Sequence, residues 1–584
     1  METSTTSSAI ADVVRDRAHH AFGLVGNANS HVVSDLTSQG FPYTAVRHEA
    51  AAVTAADAFY RASSRSERIA VATTTCGAGF TNTITALAEA KYARIPLVFI
   101  AGTAPAAAPR HFDVDQAALL DAMGIIYLTV SPSSARIETS IAFDLAESLR
   151  EPVVILLPHD LQESQLEHDG AIARNAHHDP YCVSSAAAPH AADASMPASD
   201  THAGDSLADI AELLSTAHRP VIVSGRGVVL SHTEEMAAKL GDEIGAIHLT
   251  SAMANNVFDA APEADSELFA DVVSLGISGG FAHAEVVDVM RSVDAILVLG
   301  ASFNPFQARG GKMFPAHATV AHIIDEPHPA AMPVDKRVYA DLRDALPQLL
   351  RLITKNEYAD GWDLAELRLQ LQRGDFTPAP AHTVGEDGRL DPRAALHALN
   401  LLLPQQRCVC TDGGHFLGWV PQYLDTPDPD ALALVGSAIQ SIGLGCGSAV
   451  GIAAARPSNY TVLVTGDGGG LMALSDLESA IRAMRGRNGT PGGAIVVMND
   501  AAYGAELHQY AAAGLDTESM VIDDIDFAAL GSSLGARGIT IRTMADFDLV
   551  ATALHDNPAD VLVLDVKISQ CVVADFIKEV LQKR

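Results

Sequence analysis

Cysteine is scarce in this chain: six residues in 584, Cys76, Cys182, Cys408, Cys410, Cys446 and Cys571, with no CxxC pair among them. A zinc ribbon, a thioredoxin-type site and a disulfide-stapled module are all disfavoured by that count and spacing. Basic charge is short as well, 38 Lys and Arg against 71 Asp and Glu, for a net charge of −33. A chain so acidic lacks the basic footprint that nucleic acid or an anionic membrane requires, so neither is expected as a partner. No run reaches the roughly 18 uninterrupted apolar residues of a membrane span. The opening METSTTSSAIADVVRDRAHH has no apolar core behind a basic head. The expectation is a soluble cytoplasmic protein with reduced thiols.

Hydrophobic residues make up 48% of the chain, charged residues 19% and aromatics 5%, the balance of a globular α/β protein. The length predicts three or four domains. Between 166 and 205 the chain reads LEHDGAIARNAHHDPYCVSSAAAPHAADASMPASDTHAGD, without hydrophobic period, and is expected to be a linker. A second linker is expected over 353–389, where RGDFTPAPAHTVGEDGRL follows the helix-like DLAELRLQLQ. Three blocks remain, 1–165, 206–352 and 390–584. In the first, RIAVATT, PLVFIAG and PVVILLP read as buried strands, with AAAVTAADAFYRA and TNTITALAEAKYA as Ala-rich helices between them. RPVIVSG, AILVLGA and TVAHIID do the same in the second, and YTVLVTG, GAIVVMN and DVLVLDV in the third. Alternation of this kind predicts three doubly wound parallel-sheet α/β domains, with ligands beyond the carboxyl ends of the strands.

The richest segment runs from Tyr460 to Gly504. One strand ends in Gly466-Asp467-Gly468-Gly469-Gly470, a helix follows, and a second strand ends in Asn499-Asp500. Ser475 and Glu478 have capping-box spacing, and Leu474, Leu477, Ile481 and Met484 share a helix face. Parallel neighbours bring Asp467 and Asp500 to one edge, where glycines admit a phosphate and oxygen side chains can hold a hard cation. Taken alone, GDG is as readily a glycine-rich turn with solvated aspartates. Glu49, between a strand and an Ala-rich helix, is by itself a helix-start charge favoured by the dipole.

Together these residues resemble the thiamine diphosphate enzymes, in their acetolactate-synthase-like branch. The resemblance to that cofactor motif assigns Mg2+ to Asp467, Asp500 and the carbonyl of Ala502, and adds Gly466, Gly468, Gly469 and Tyr503 to the thiamine diphosphate site. Two departures stand out: RGRNGTPGG lengthens the interval, and Asp500 replaces the commoner asparagine. RHEAAA resembles the segment whose glutamate meets the aminopyrimidine ring, which makes Glu49 the first catalytic candidate, an acid whose pKa burial would raise. FGLVGNANSHVVSDL places Asn27 toward the substrate. TTTCGAGFTNTITALAEAKYARIPLVFIAG is similar to the SGPGATN segment of acetolactate synthases, with Cys76 and Ala78 departing. In GSAIQSIGLGCGSAVGIAAARP, Ile442 would prop the cofactor in its bent form, so that truncating it slows activation without abolishing binding. The family's organisation implies a pyrimidine-binding first block, a Rossmann-like middle block and a diphosphate-binding third. It also implies active sites shared between subunits: a homodimer at minimum, with a homotetramer as the common form.

The adjacent histidines of simple pyruvate decarboxylases are missing, since the corresponding loop is Thr74-Thr75-Cys76-Gly77. RHFDVDQAALLDAMG instead puts Gln116 where acetolactate synthases have a glutamine, and an amide can orient an acceptor carbonyl without delivering a proton. His111, Asp113 and Asp115 fit solvated loop positions equally well. His415, in TDGGHFLGW, and His48 are candidates for handling protons. ASFNPFQARGG lacks the first arginine and the acidic pair of the GARFDDR-like run in flavin-containing synthases, which argues against FAD; Asp325 is then a capping acid. The expected activity is a carboligation on pyruvate or a related small 2-oxo acid with a carbonyl acceptor. The alternatives are a nonoxidative 2-oxo acid decarboxylase or a carbon–carbon lyase; a noncatalytic binding relative is disfavoured.

Overall fold

Apolar runs too short for core helices and bounded by glycine or proline extend into strands, and the helices between them cover both faces. The computed structural model describes residues 4–66, 68–166, 206–258, 269–327, 331–354 and 361–581. The first sheet comprises β1 (His20–Gly23), β2 (Tyr43–Ala45), β3 (Ala70–Thr74), β4 (Leu97–Thr103), β5 (Ile126–Thr129) and β6 (Pro152–Pro158). The second comprises β7 (Pro220–Ser224), β8 (Ile247–Thr250), β9 (Ser274–Ile277), β10 (Ala295–Leu299), β11 (Thr319–Ile324) and β12 (Lys336–Tyr339). The third comprises β13 (Arg407–Thr411), β14 (Leu432–Leu434), β15 (Tyr460–Gly466), β16 (Gly493–Asn499), β17 (Arg537–Ile541) and β18 (Val561–Lys567). Every pairing within them is parallel.

The first sheet runs β2-β1-β3-β4-β6-β5 and the third β14-β13-β15-β16-β18-β17, the same order of their own strands. The middle sheet, β9-β8-β7-β10-β11-β12, has the dinucleotide-fold order 3-2-1-4-5-6. The first and third sheets share one hydrophobic core across two helices, Glu49–Arg61 and Gly445–Ala455. The helices approach closely because Gly451 has no side chain: a methyl there would stand 2.1 Å from the Ala55 carbonyl oxygen. Arg226 ties in the middle block, donating to the carbonyls of Arg61 and Met253, both at 3.0 Å, and to Asp430 Oδ1 at 2.9 Å.

Local readings differ in two places. The Ser475–Glu478 capping box does not form: the helix is Leu474–Met484, its N-cap is Ala473, and Glu478 pairs with Arg482 and Arg47 instead. A serine already inside the first turn cannot cap it. Leu477, Ile481 and Met484 are buried, whereas Leu474 is exposed at the start of that face. The expected first linker lies, beyond Leu166, outside the described residues. Within 353–389, the helix Leu364–Arg373 sets Leu367 against the middle core with Phe376, and Trp362 donates to the Pro220 carbonyl at 3.0 Å. Among the described residues no helix is long and apolar enough to cross a membrane.

Candidate active site

β15 and β16 pair so that Gly466 lies opposite Met498, and both chains leave the sheet at the same edge. Asp467 and Asp500 follow directly, each 2% exposed. Asp467 Oδ1 accepts from the Gly468 N–H at 2.9 Å and Oδ2 from the Ala502 N–H at 3.1 Å. Asp500 Oδ2 is buried with no hydrogen-bond partner. Burial pushes the Asp467 carboxyl up to about 6; burial, with the Asp467 charge added, pushes Asp500 up to about 8. Two buried acids that repel each other, one with an orphaned oxygen, suit a divalent cation with a preference for oxygen ligands. Asn499 turns away from them, donating to Asp565 Oδ1 at 2.9 Å, and Gln570 donates to the Asp500 carbonyl. The Tyr503 ring lies over Gly468, where a methyl would stand 2.5 Å from it and push the ring aside. The Tyr503 N–H donates to the Met520 carbonyl at 2.8 Å, which brings residues 520–522 alongside this loop.

His415 leaves β13 at the same edge and is buried against Trp419 and His508, at centroid distances of 5.3 and 5.6 Å. Its Nε2 is 3.9 Å from Asp500 Oδ2, beyond hydrogen-bond reach. Burial, and then His508, pull its pKa down to about 3, so the ring is a neutral imidazole. The Nε2 atoms of His415 and His508, like Asp500 Oδ2, are buried without a partner, so three orphaned polar atoms cluster at one edge. Sequence reasoning missed His508; its only signal is its place one turn into the Gly504–Ala512 helix.

Asp412 was also missed as a site residue. Its Oδ1 accepts from the N–H groups of Gly413 (2.8 Å) and Gly443 (2.9 Å), and its Oδ2 from Thr465 Oγ1 (3.1 Å). One buried carboxylate thus ties the ends of β13 and β15 to the segment carrying Ile442. Ile442 itself packs on Gly413, its Cγ2 2.7 Å from where a methyl at that glycine would be.

At the edge of the first sheet, Glu49 opens the helix Glu49–Arg61 and is half-buried, its Oε2 accepting from Asn82 Nδ2 at 2.9 Å. His48 caps that helix, its Nδ1 accepting from the Ala50 N–H at 3.2 Å. Asn27 is exposed, and the loop around it is held by the buried Asn29, which accepts from the Gly26 N–H at 2.8 Å and donates to Thr73 Oγ1 at 3.1 Å. Gln116, suggested by the sequence as an amide that orients an acceptor, bonds to the protein's own loops. It is buried, with Oε1 accepting from the Gly77 N–H at 3.2 Å and Nε2 donating to the Gly102 carbonyl at 2.9 Å. Both ends are engaged in fixing the loop rather than open to an acceptor. Asp115 caps the helix that Gln116 begins, and Asp113 receives the Arg110 guanidinium at 2.8 Å, so neither is merely solvated. In the middle block, the Phe306 ring fills the space above Gly280, and Asp325 forms an ion pair with Arg150 rather than a cap.

Three family models match the chain. "Thiamine pyrophosphate enzyme, N-terminal TPP binding domain" matches residues 4–123, the central domain of that family 207–349, and its C-terminal TPP binding domain 412–564. Among curated proteins, an acetolactate synthase large subunit from Buchnera aphidicola is 23% identical, covering 97% of this chain and 95% of its own. The acetolactate synthase isozyme 1 large subunit of Escherichia coli is 26% identical over 69% of this chain and 66% of its own. A thiamine diphosphate-dependent 4-hydroxybenzoylformate decarboxylase from Rhodococcus jostii shares the fold, with a TM-score of 0.71 at 19% identity over 97% of this chain and 99% of that one.

Proposed function

The chain belongs to the thiamine pyrophosphate enzyme family, and from that premise we propose that it is a magnesium-dependent carboligase. It decarboxylates pyruvate or a related small 2-oxo acid and joins the remaining fragment to a carbonyl acceptor, in the manner of acetolactate synthases. The observation that carries this reading is the buried Asp467–Asp500 pair with its orphaned oxygen at the end of two neighbouring strands. Asp467, Asp500 and the carbonyl of Ala502 would hold Mg2+. Gly466, Gly468, Gly469 and Tyr503 would line the diphosphate, with His415 beside it as a neutral ring.

Thiamine diphosphate, when bound, supplies the electron sink that decarboxylation needs. The protein's part is to place groups around it. Glu49 would hold a proton for the aminopyrimidine, Ile442 would support the bound cofactor, and Asn27 would face the substrate. Gln116 acts by fixing Gly77 and the loop around it. Glu49 stands on the first sheet and the aspartates on the third, which suits a site completed by a second subunit. A homodimer is the minimum this reading needs, with a homotetramer as the common form of the family, and exposed Val25 and Met472 at the two edges are available to be covered by a second subunit. Five free cysteines among the described residues suit a reducing, cytoplasmic setting.

Plain decarboxylation is the second reading, favoured by one observation: the Gln116 amide is buried and bonded at both ends to loop backbone. Product analysis decides between them. The protein is incubated with pyruvate, thiamine diphosphate and Mg2+, with and without added aldehyde. Acetolactate or a mixed acyloin supports ligation, whereas acetaldehyde alone removes it.

A further inference from the structure

The chain between β14 and the helix Gly445–Ala455 carries Ile442, and carboxylates from two different sheets hold it. Glu89, in the helix Ile84–Tyr92 beside the first sheet, is fully buried. Its carboxylate accepts from the backbone N–H groups of Ala438 at 3.0 Å and Ile439 at 3.1 Å. The same carboxylate receives Arg61 Nη2 at 3.1 Å; Arg61 also pairs with the buried Asp57 and donates to the Leu434 carbonyl at 3.2 Å. At the other end of the segment, Asp412 accepts from the Gly443 N–H at 2.9 Å. Between these anchors the chain doubles back, the Ser441 N–H donating to the Gly436 carbonyl at 2.8 Å and Gln440 adopting a φ of 58°.

Asp57, Arg61 and Glu89 together carry one negative charge in excess. The two amides of the strap are the donors that meet it. A buried carboxylate stripped of such donors is strongly disfavoured, so Glu89 and the strap hold each other in place. Burial cannot do this alone, because Ser437, Ala438 and Gln440 are exposed.

We propose that Glu89 is a positioning residue: from the first block it clamps the 438–443 strap, so that Ile442 stands where cofactor activation needs it. The inference rests on the reading of Ile442 as a support for bound thiamine diphosphate. It makes the chemistry of the third block depend on the docking of the first block of the same chain.

Full-length wild type is compared with Glu89→Gln, Ala438→Pro and Ile442→Ala. The readouts are amide hydrogen exchange over 436–444 in cofactor-free protein, the Kd for thiamine diphosphate with Mg2+, and deuterium exchange at C2 of the bound cofactor. Glu89→Gln is expected to speed amide exchange at 438 and 439 and to slow C2 exchange, each by about tenfold, with Kd changed by less than about twofold. Ala438→Pro removes one donor from the exposed side and leaves the buried ion pair intact, so it should slow C2 exchange similarly. It decides the matter if Glu89→Gln does not fold. If Ile442→Ala slows C2 exchange while Ala438→Pro and any folded Glu89→Gln match wild type, the clamp is wrong and the role of Ile442 stands. If Ile442→Ala itself matches wild type, the underlying reading falls and takes the clamp with it.

Discussion

The first and third sheets have the same strand order, share one core and meet through corresponding helices, yet their carboxyl edges carry different chemistry. In the first, the loop after β1 is fixed by a neutral amide, Asn29, bonded to Thr73 on β3. In the third, the loop after β13 is fixed by a carboxylate, Asp412, bonded to Thr465 on β15. Beyond β3 comes Thr75-Cys76-Gly77; beyond β15 comes an aspartate facing another aspartate. One scaffold thus supports an edge whose half-buried acids, Glu49 and Asp113, are bonded to Asn82 and Arg110, and an edge dense with fully buried acids. Fold alone fixes where a ligand can sit, and loop residues fix what kind it is.

On the function proposed above, Glu49 is the proton-handling group of the first edge. Glu49→Ala is expected to lower C2 proton exchange and turnover by about 100- to 10,000-fold while the cofactor still binds. Unchanged exchange would remove the first sheet from the chemistry. On the third edge, Asp467→Ala should weaken magnesium-dependent cofactor binding by about 10- to 100-fold, readable by titration, and a chelator should mimic it in wild type. The same edge predicts an inverted pH response. Asp500 titrates near 8 in the folded, metal-free chain against an ordinary 3.8, so the folded state holds more protons than the unfolded between those values. Its contribution to stability is therefore greatest at low pH and is lost as pH rises toward 8. Thermal melts of Asp500→Asn should lack the part of this loss that Mg2+ reverses in wild type; identical melts would mean the acids are not a metal site. The junction of the two sheets is tested by Gly451→Val, which forces a side chain into the helix crossing and should cost about 1 to 3 kcal/mol. The smallest effect belongs to the boundary with the middle block. Arg150→Ala breaks a partly exposed ion pair with Asp325 and should cost under about 1 kcal/mol.

Strands such as PLVFIAG and YTVLVTG were legible because burial on both faces demands unbroken apolar runs. The Asp467–Asp500 edge was legible because a strand ending in Gly-Asp-Gly and its neighbour ending in Asn-Asp state their own register. What stayed hidden depends on contacts between distant segments. Nothing local in TALAEAKYA marks Glu89 as the acceptor for amides 349 and 350 positions away. The flanks of Gln116 say nothing of its engagement, which depends on where Gly102 and Gly77 lie in space. Ser475 misled because a capping pattern carries no information about which turn it occupies.

The crossing of the helices Glu49–Arg61 and Gly445–Ala455 also has a history in the life of each molecule. The earlier helix is buried along nearly its whole length, and its cover lies about 380 residues further down the chain. At the usual pace of synthesis that cover arrives about 20 to 80 s later. Through that interval the nascent first block presents an apolar, alanine-lined surface with nothing to close it. The growing chain is therefore expected to need that surface shielded until residue 455 has emerged, which recovery of chains truncated before Gly445 would check.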